Sequence, residues 1–201
     1  MNYLKLDNSL LLAKGGERFC FIHPKDPSKI IKVLNPTIKV HNEQNMLEDR
    51  YYTFLYSRYS KSELSNITKY YGYIDTNYGK GLVFERVIDY NGENSKHFRE
   101  YLRNNLLSLD QEQLLLKELK FFLESKNILF IDVSTVNLFC QEVSKNCYKL
   151  IIFDGLGARR YGVKFRLYLK SDVFTKYKVK KQWKKFISNY KRDKRMHKNG
   201  E

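Results

Sequence analysis

Cysteine is scarce in this sequence, with three among 201 residues (Cys20, Cys140 and Cys147), too few and too odd in number for a disulfide framework. Cys140 and Cys147 flank Gln141 to Asn146, which reads as a hairpin loop, so the two thiols could approach one another. Reduced thiols on or under strands are what a cytoplasmic chain favours. The histidines, His23, His41, His97 and His197, stand apart with no metal-ligand spacing, and no zinc site is expected. No apolar run comes near the roughly 20 residues that a bilayer-crossing helix needs. The start, Met1-Asn-Tyr-Leu-Lys-Leu-Asp7, lacks the charged and apolar regions of a signal peptide. Together these absences predict a cytoplasmic protein. Low-complexity linkers and internal repeats are missing too, so 201 residues point to one domain or one small two-lobed unit.

What is present is enough apolar material for a core, 42% hydrophobic and 15% aromatic, and a lopsided charge. From Arg159 to the end stand 16 Lys or Arg against 3 acidic residues, whereas the first 158 residues hold 21 basic and 19 acidic. A nearly neutral body thus carries a strongly basic tail. That asymmetry argues for an anionic partner such as a membrane surface, lipopolysaccharide or nucleic acid. Nucleic acid is the least favoured of these, since it would rest on the tail alone.

Alternation and turn residues predict strands at Leu4–Leu12, Phe19–Ile22 and Ile30–Leu34, with turns at Lys14-Gly-Gly-Glu17 and Pro24-Lys-Asp-Pro27. A helix follows over about His41–Tyr59, with Met46, Leu47, Tyr51, Phe54 and Leu55 on one face. Ile67–Asp75 and Lys80–Ile88 read as strands joined at Thr76-Asn-Tyr-Gly79, and Gly81-Leu-Val-Phe-Glu85 suits a central strand. Helices are predicted over Ser95–Asn104 and Asp110–Lys126, the second with Asp110 and Gln113 as a capping box, a stripe of Leu114, Leu115, Leu119, Phe122 and Leu123, and Asn127 closing it in a left-handed conformation. Short apolar strands follow at Ile128–Ile131, Asn137–Cys140 and Tyr148–Phe153. Ser171 to about Arg195 reads as an amphipathic helix, with Phe174, Tyr177, Trp183, Phe186, Ile187 and Tyr190 on one side, and Lys194–Glu201 as a disordered end.

The chemistry-bearing residues come in a fixed order. Asp132-Val-Ser-Thr-Val-Asn137 is followed seventeen residues later by Asp154-Gly155. Kinase-fold phosphotransferases space a catalytic base and two magnesium ligands in this way. One carboxylate faces the attacking hydroxyl, while an amide and a second carboxylate reach metal ions that bridge the nucleotide phosphates. Earlier in the chain, Gly15-Gly16 beside Lys14 offers a turn where backbone amides can approach phosphates, although the full G-x-G-x-x-G pattern is absent. Lys32 stands in the apolar strand Ile-Ile-Lys-Val, where it needs a carboxylate or phosphate to receive it, or else sits on a wet face. Glu48, sixteen residues on, is its candidate partner, with Glu43 competing.

Lys14-Gly-Gly-Glu-Arg-Phe-Cys-Phe-Ile-His-Pro-Lys-Asp-Pro-Ser-Lys-Ile-Ile-Lys-Val33, Glu48-Asp-Arg-Tyr-Tyr52, Tyr70-Tyr-Gly72 and Asn77-Tyr-Gly-Lys-Gly-Leu-Val-Phe84 resemble the YrbL family, the PhoP regulatory network proteins of Gram-negative bacteria, over roughly residues 10–158. The resemblance implies a protein-kinase-like α+β fold, related to small kinases of lipopolysaccharide-core sugars. It would have an antiparallel N-lobe sheet with one helix over 1–88, a short, mainly helical C-lobe over 89–170, and a basic segment over 171–201. ATP and magnesium are the implied cofactors. Lys32 would hold the α/β-phosphates, oriented by Glu48, Asp132 would be the base, and Asn137 and Asp154 the metal ligands. Lys14, Gly15, Gly16 and Glu85 would complete the nucleotide site. Phe130-Ile131 replaces the His-Arg of protein kinases, Ser134 a common lysine, and only 47 residues follow Asp154. A small hydroxyl compound or a glycolipid headgroup is therefore expected as acceptor rather than a protein. The alternative is a pseudokinase with a nucleotide-binding or regulatory role in the PhoP network. The tail would either hold the protein at the anionic inner face of the cytoplasmic membrane, or at a lipopolysaccharide precursor, or pack on the C-lobe.

Overall fold

The alternation in the first part of the chain builds an antiparallel sheet. A computed structural model describes residues 3–37 and 44–198 and shows two units, one from Met1–Leu64 and Thr68–Arg86, the other from Ser65–Ile67 and Val87–Glu201. In the first unit, β1 (Leu11–Lys14), β2 (Arg18–Ile22), β3 (Lys29–Leu34), β4 (Tyr70–Thr76) and β5 (Gly79–Glu85) pair in the order β1-β2-β3-β5-β4, every neighbouring pair antiparallel. Helix α1 spans Gln44–Tyr56.

β3 is buried on both faces, which explains its nearly unbroken apolar run. Ile31 and Val33 join Leu6, Phe21 and Val83 in one core, with Phe19, Ile74 and Tyr78 packed at its edge. Ile30 and Lys32 alternate with them and pair with Phe84 and Leu82. On that side Tyr52 of α1 meets Phe84 and Tyr70, each with ring centroids 5.3 Å away. Glycine is required at position 81, because a Cβ there would lie 2.6 Å from Ile31 Cγ2 and 3.0 Å from Val33 Cγ1.

Several expected elements are shorter. Leu4–Leu12 is not one strand: Leu4 makes a single bridge to Thr76, and Asn8–Leu10 is a 3-10 turn whose cap, Asp7, accepts from the Ser9 amide at 2.8 Å. Local side-chain acceptors compete there with the strand ladder. The strand expected from Ile67 starts at Tyr70, and the next ends at Glu85, with Ile88 in an isolated bridge to Asn94. The helix expected over His41–Tyr59 ends at Tyr56, and its first residues, with Glu43, lie outside the described residues.

The second unit has a small antiparallel sheet, β6 (Lys96–His97), β7 (Leu138–Ser144) and β8 (Cys147–Ile152), in the order β6-β7-β8. Around it stand α2 (Phe98–Arg103), α3 (Leu109–Ser125), α4 (Val163–Lys170) and α5 (Asp172–Lys198). Ser108 and Gln111, not Asp110 and Gln113, form the capping box of α3, because the N-cap falls two residues before the expected Asp110. Leu115, Leu119, Phe122 and Leu123 are buried, while Leu114 is exposed because it falls about 120° around the helix from the centre of that stripe. Asn127 takes the expected left-handed conformation, with φ +52°. Ile128–Ile131 forms no strand; its one bridge joins Phe130 to Leu156, and the Ile131 amide turns to the Gly155 carbonyl. The helix expected over Ser95–Asn104 gives its first residues to β6 and keeps Phe98–Arg103. Cys140 is buried opposite Leu150 and Cys147 is exposed opposite Ser144; both are free thiols.

Helix α5 packs through one stripe. Thr175, Val179, Gln182, Phe186 and Asp193 are buried, with α2 and α3 as neighbours. Phe174 and Tyr177, expected on the packed side, are exposed, since they fall about 100° and 160° around the helix from that stripe. The expected disorder from Lys194 is replaced by helix to Lys198, where Lys194 Nζ meets Glu112 Oε2 at 2.6 Å; 199–201 lie outside the described residues. Among the described residues no helix is long and apolar enough to cross a membrane.

Candidate functional site

In the second unit, two loops are tied together at a glycine. The Gly155 carbonyl accepts from the amides of Ile131 and Asp132, at 2.8 and 3.0 Å. Asn137 ends a 3-10 turn, Thr135–Asn137. Its Nδ2 donates to the Asp132 carbonyl at 2.8 Å and to Asp132 Oδ2 at 3.0 Å, and its carbonyl accepts from the Phe153 amide at 3.2 Å. Asp154 Oδ1 accepts from the Gly155 amide at 2.8 Å. Asn137 is thus bonded to Asp132, and Asp154 stands next to the glycine that touches both. Both Asn137 donors are spent on Asp132, and that pattern assigns its oxygen as the end available to a ligand.

Gly155 makes this approach possible. Its φ is +81°, and a Cβ would lie 2.8 Å from Asp132 Cβ, 3.0 Å from Asp132 O and 3.1 Å from Asn137 Nδ2. Gly155→Ala is expected to cost about 2–4 kcal/mol, from a left-handed non-glycine residue plus overpacking. Urea denaturation of the variant beside the parent protein checks this.

Arg159 was legible only as the start of the basic tail. Its Nη2 donates to Asp132 Oδ1 at 2.6 Å, with the two side chains 66% and 48% exposed. An ion pair this wet is worth about 0–1 kcal/mol and opens readily. Among the described residues, no group of three or more His, Cys, Asp and Glu side chains is arranged to hold a metal. The Asn137 amide and Asp154 carboxylate form a different donor set, two hard oxygens. This fits a magnesium ion that completes its shell with water and phosphate oxygens.

The first unit holds a buried charge cluster. Lys32 and Glu48 are 5% and 6% exposed, and Lys32 Nζ lies 3.2 Å from Glu48 Oε1. Glu48, on α1, is therefore its partner, and the wet-face reading of Lys32 does not hold. The Lys32 ammonium also sits 4.4 Å from the Phe84 ring centroid. Arg18, which sequence reasoning passed over, donates from Nη1 to Glu48 Oε2. The signal was there: Cys20 pairs with Lys32, and period two puts Arg18 on the same face.

The remaining expected ligands are less committed. Lys14 is exposed, 5.8 Å from the Phe19 ring centroid. The Gly15 amide is used by the Arg18 carbonyl at 2.8 Å, closing the β1–β2 turn, and Gly16 is exposed. Glu85 Oε1 meets Lys69 Nζ at 2.6 Å.

Sequence reasoning also missed a brace behind the Asp132 loop. Gln182 Nε2 donates to the Ile131 carbonyl and Asn189 Nδ2 to the Val133 carbonyl, both at 2.5 Å. Asp193, 1% exposed, accepts from Thr135 and from Arg99 Nε, the latter at 3.1 Å. Arg99 also reaches Ser134 Oγ at 3.2 Å. Amide and carboxylate groups at helical spacing within a lysine-rich stretch were the only sign of it.

An antiparallel sheet with a buried lysine–glutamate pair, and a second unit presenting Asp132, Asn137 and Asp154 from neighbouring loops, define a mixed α+β protein with a polar constellation in each unit. The family model for the PhoP regulatory network protein YrbL matches residues 4–191, and the chain belongs to that family. The match runs past the expected end at about 158 and takes in most of α5. The chain is similar to the proteins named "Uncharacterized protein YrbL" of Escherichia coli (strain K12) and Shigella flexneri, each 27% identical over 156 residues, 77% of this chain and 73% of theirs.

Proposed function

We propose that this protein is an ATP- and magnesium-dependent phosphotransferase of protein-kinase-like architecture, acting on a hydroxyl of a small molecule or of a lipopolysaccharide-core-type sugar. The observation that carries the reading is the Gly155-centred junction, which holds a carboxylate, an amide and a second carboxylate on adjacent loops. Asp132, fixed by Asn137, orients the acceptor hydroxyl and takes its proton. Asn137 and Asp154 supply the oxygen ligands for magnesium, which neutralises phosphate charge when bound. Lys32, held by Glu48, is the cation this reading assigns to the nucleotide phosphates. Most of the rate gain comes from positioning and charge neutralisation.

The test is thermal. MgATP at about 100 times its Kd is expected to raise Tm by roughly 5–10 °C. Omitting magnesium or introducing Asp154→Ala removes that rise, and no shift in the parent protein at millimolar ATP would sink the reading. A second reading, a pseudokinase that binds nucleotide without turnover, is favoured by the Arg159–Asp132 contact and by Phe130-Ile131 in place of His-Arg. A full MgATP shift with no transfer across a panel of sugar and glycolipid acceptors selects it.

A further inference from the structure

We propose that the outward face of α5, with the α4–α5 corner, is a docking surface for an anionic lipid bilayer. The helix is 27 residues long, about 40 Å, and carries two stripes. The inner one is buried as described. The outer one, Val173, Tyr177, Lys180, Lys184, Lys191 and Arg195, recurs at steps of three, four and, across Ser188, seven residues, and every member is exposed. Basic residues fill its length, and apolar ones its first turns.

Further lysines, on the flank of α5 between the two stripes and on α4, have no internal destination. Among the described residues, none of Lys164, Lys178, Lys181 and Lys185 has an ion-pair partner. The Lys178 ammonium is held below its ordinary pKa by partial burial and by Lys181, Lys185 and Lys164 around it. Four like charges gathered from two helices call for external anions.

The apolar corner selects which anion. Val163, Val173, Tyr177 and Phe174 are 81%, 77%, 69% and 50% exposed, within a segment rich in lysine and arginine. Phosphates of a nucleic acid gain nothing from valines held in water. A bilayer interface takes both kinds of group, the lysines among anionic headgroups and the valine, phenylalanine and tyrosine side chains at the acyl boundary. The surface stands independently of the phosphotransferase reading.

Sedimentation of the full chain with phosphatidylcholine vesicles, with and without phosphatidylglycerol, tests it. Binding is expected to the phosphatidylglycerol vesicles. Lys180→Gln with Lys184→Gln is expected to weaken it about 30-fold, at about fivefold per lysine. Val173→Ser with Tyr177→Ser is expected to remove the part of the binding that survives high salt. All four positions face solvent, and circular dichroism of each variant should match the parent. Equal binding to both vesicle types, or parent-like binding of the lysine variant, overturns the proposal. So does binding of duplex DNA with no retention on vesicles.

Discussion

Phe186→Ala is expected to destabilise the second unit by about 3–5 kcal/mol, the usual cost of deleting a fully buried aromatic side chain. Phe186 is 0% exposed, and its ring lies 5.3 Å from that of Trp183 and 6.1 Å from that of Phe130, centroid to centroid. The Phe130 contact links the core to the site, because Phe130 stands two residues before Asp132. Gln182, one turn earlier on α5, donates to the Ile131 carbonyl between them. Loosening Phe186 therefore loosens the Asp132 loop, and under the phosphotransferase reading the variant is expected to lose part of the MgATP response at temperatures where it is still folded. Lys184→Ala, on the opposite stripe, is expected to stay within about 0.5 kcal/mol. Urea midpoints of the two variants decide it. A Phe186→Ala cost below about 1 kcal/mol would mean that α5 is not part of the core.

That contrast separates two duties of one helix. The inner stripe hydrogen-bonds to the backbone of the loop that carries Asp132, through Gln182 and Asn189, and meets Thr135 through Asp193. The outer stripe is basic and faces solvent. Substitutions on the first should move stability and, under the phosphotransferase reading, nucleotide response together. Substitutions on the second should move only association with anions.

The fold was legible wherever local pattern and burial agree. β3 showed as Ile-Ile-Lys-Val because both of its faces are covered, and α3 showed through its leucine stripe. Patterning failed where a loop is buried without a ladder. Ile128–Ile131 is apolar because the core needs it, yet its hydrogen bonds run to Gly155 and its neighbours, so composition mimics a strand. It failed on α5 for a different reason. Phe174 and Tyr177 look like core residues, but the packed stripe is set by Thr175, Gln182 and Asp193, polar groups whose partners are backbone carbonyls and side chains distant in sequence. At the site, Asp132, Asn137 and Asp154 were readable because each stands against a short apolar segment that holds it beside packed structure. Arg159 was not, since a lone arginine in a basic tail carries no periodic signal, whereas Arg18 was readable only through the strand pairing that sets Cys20 opposite Lys32.

Glu48→Leu is expected to cost the first unit about 3–5 kcal/mol, because it removes at once the carboxylate that two buried cations share. Arg18, Lys32 and Glu48 have side chains 9%, 6% and 7% exposed, so none can recover full hydration without rearrangement. Lys32→Met is expected to be much milder, about 1 kcal/mol. It removes one buried charge, fills similar volume, and leaves Glu48 paired with Arg18. The asymmetry follows from Glu48 serving two partners while Lys32 is only one of them. It also separates the cluster's structural role from its proposed chemistry. Under the phosphotransferase reading, Lys32→Met abolishes phosphotransfer and weakens the MgATP response in a protein of nearly parental stability, whereas Glu48→Leu loses both through destabilisation. Denaturation curves and nucleotide-dependent Tm shifts on the two variants resolve these. If Lys32→Met keeps the full MgATP response, Lys32 is a structural cation and the nucleotide role assigned to it is wrong. If the two substitutions cost the same, the Arg18–Glu48 pair does not sustain the cluster.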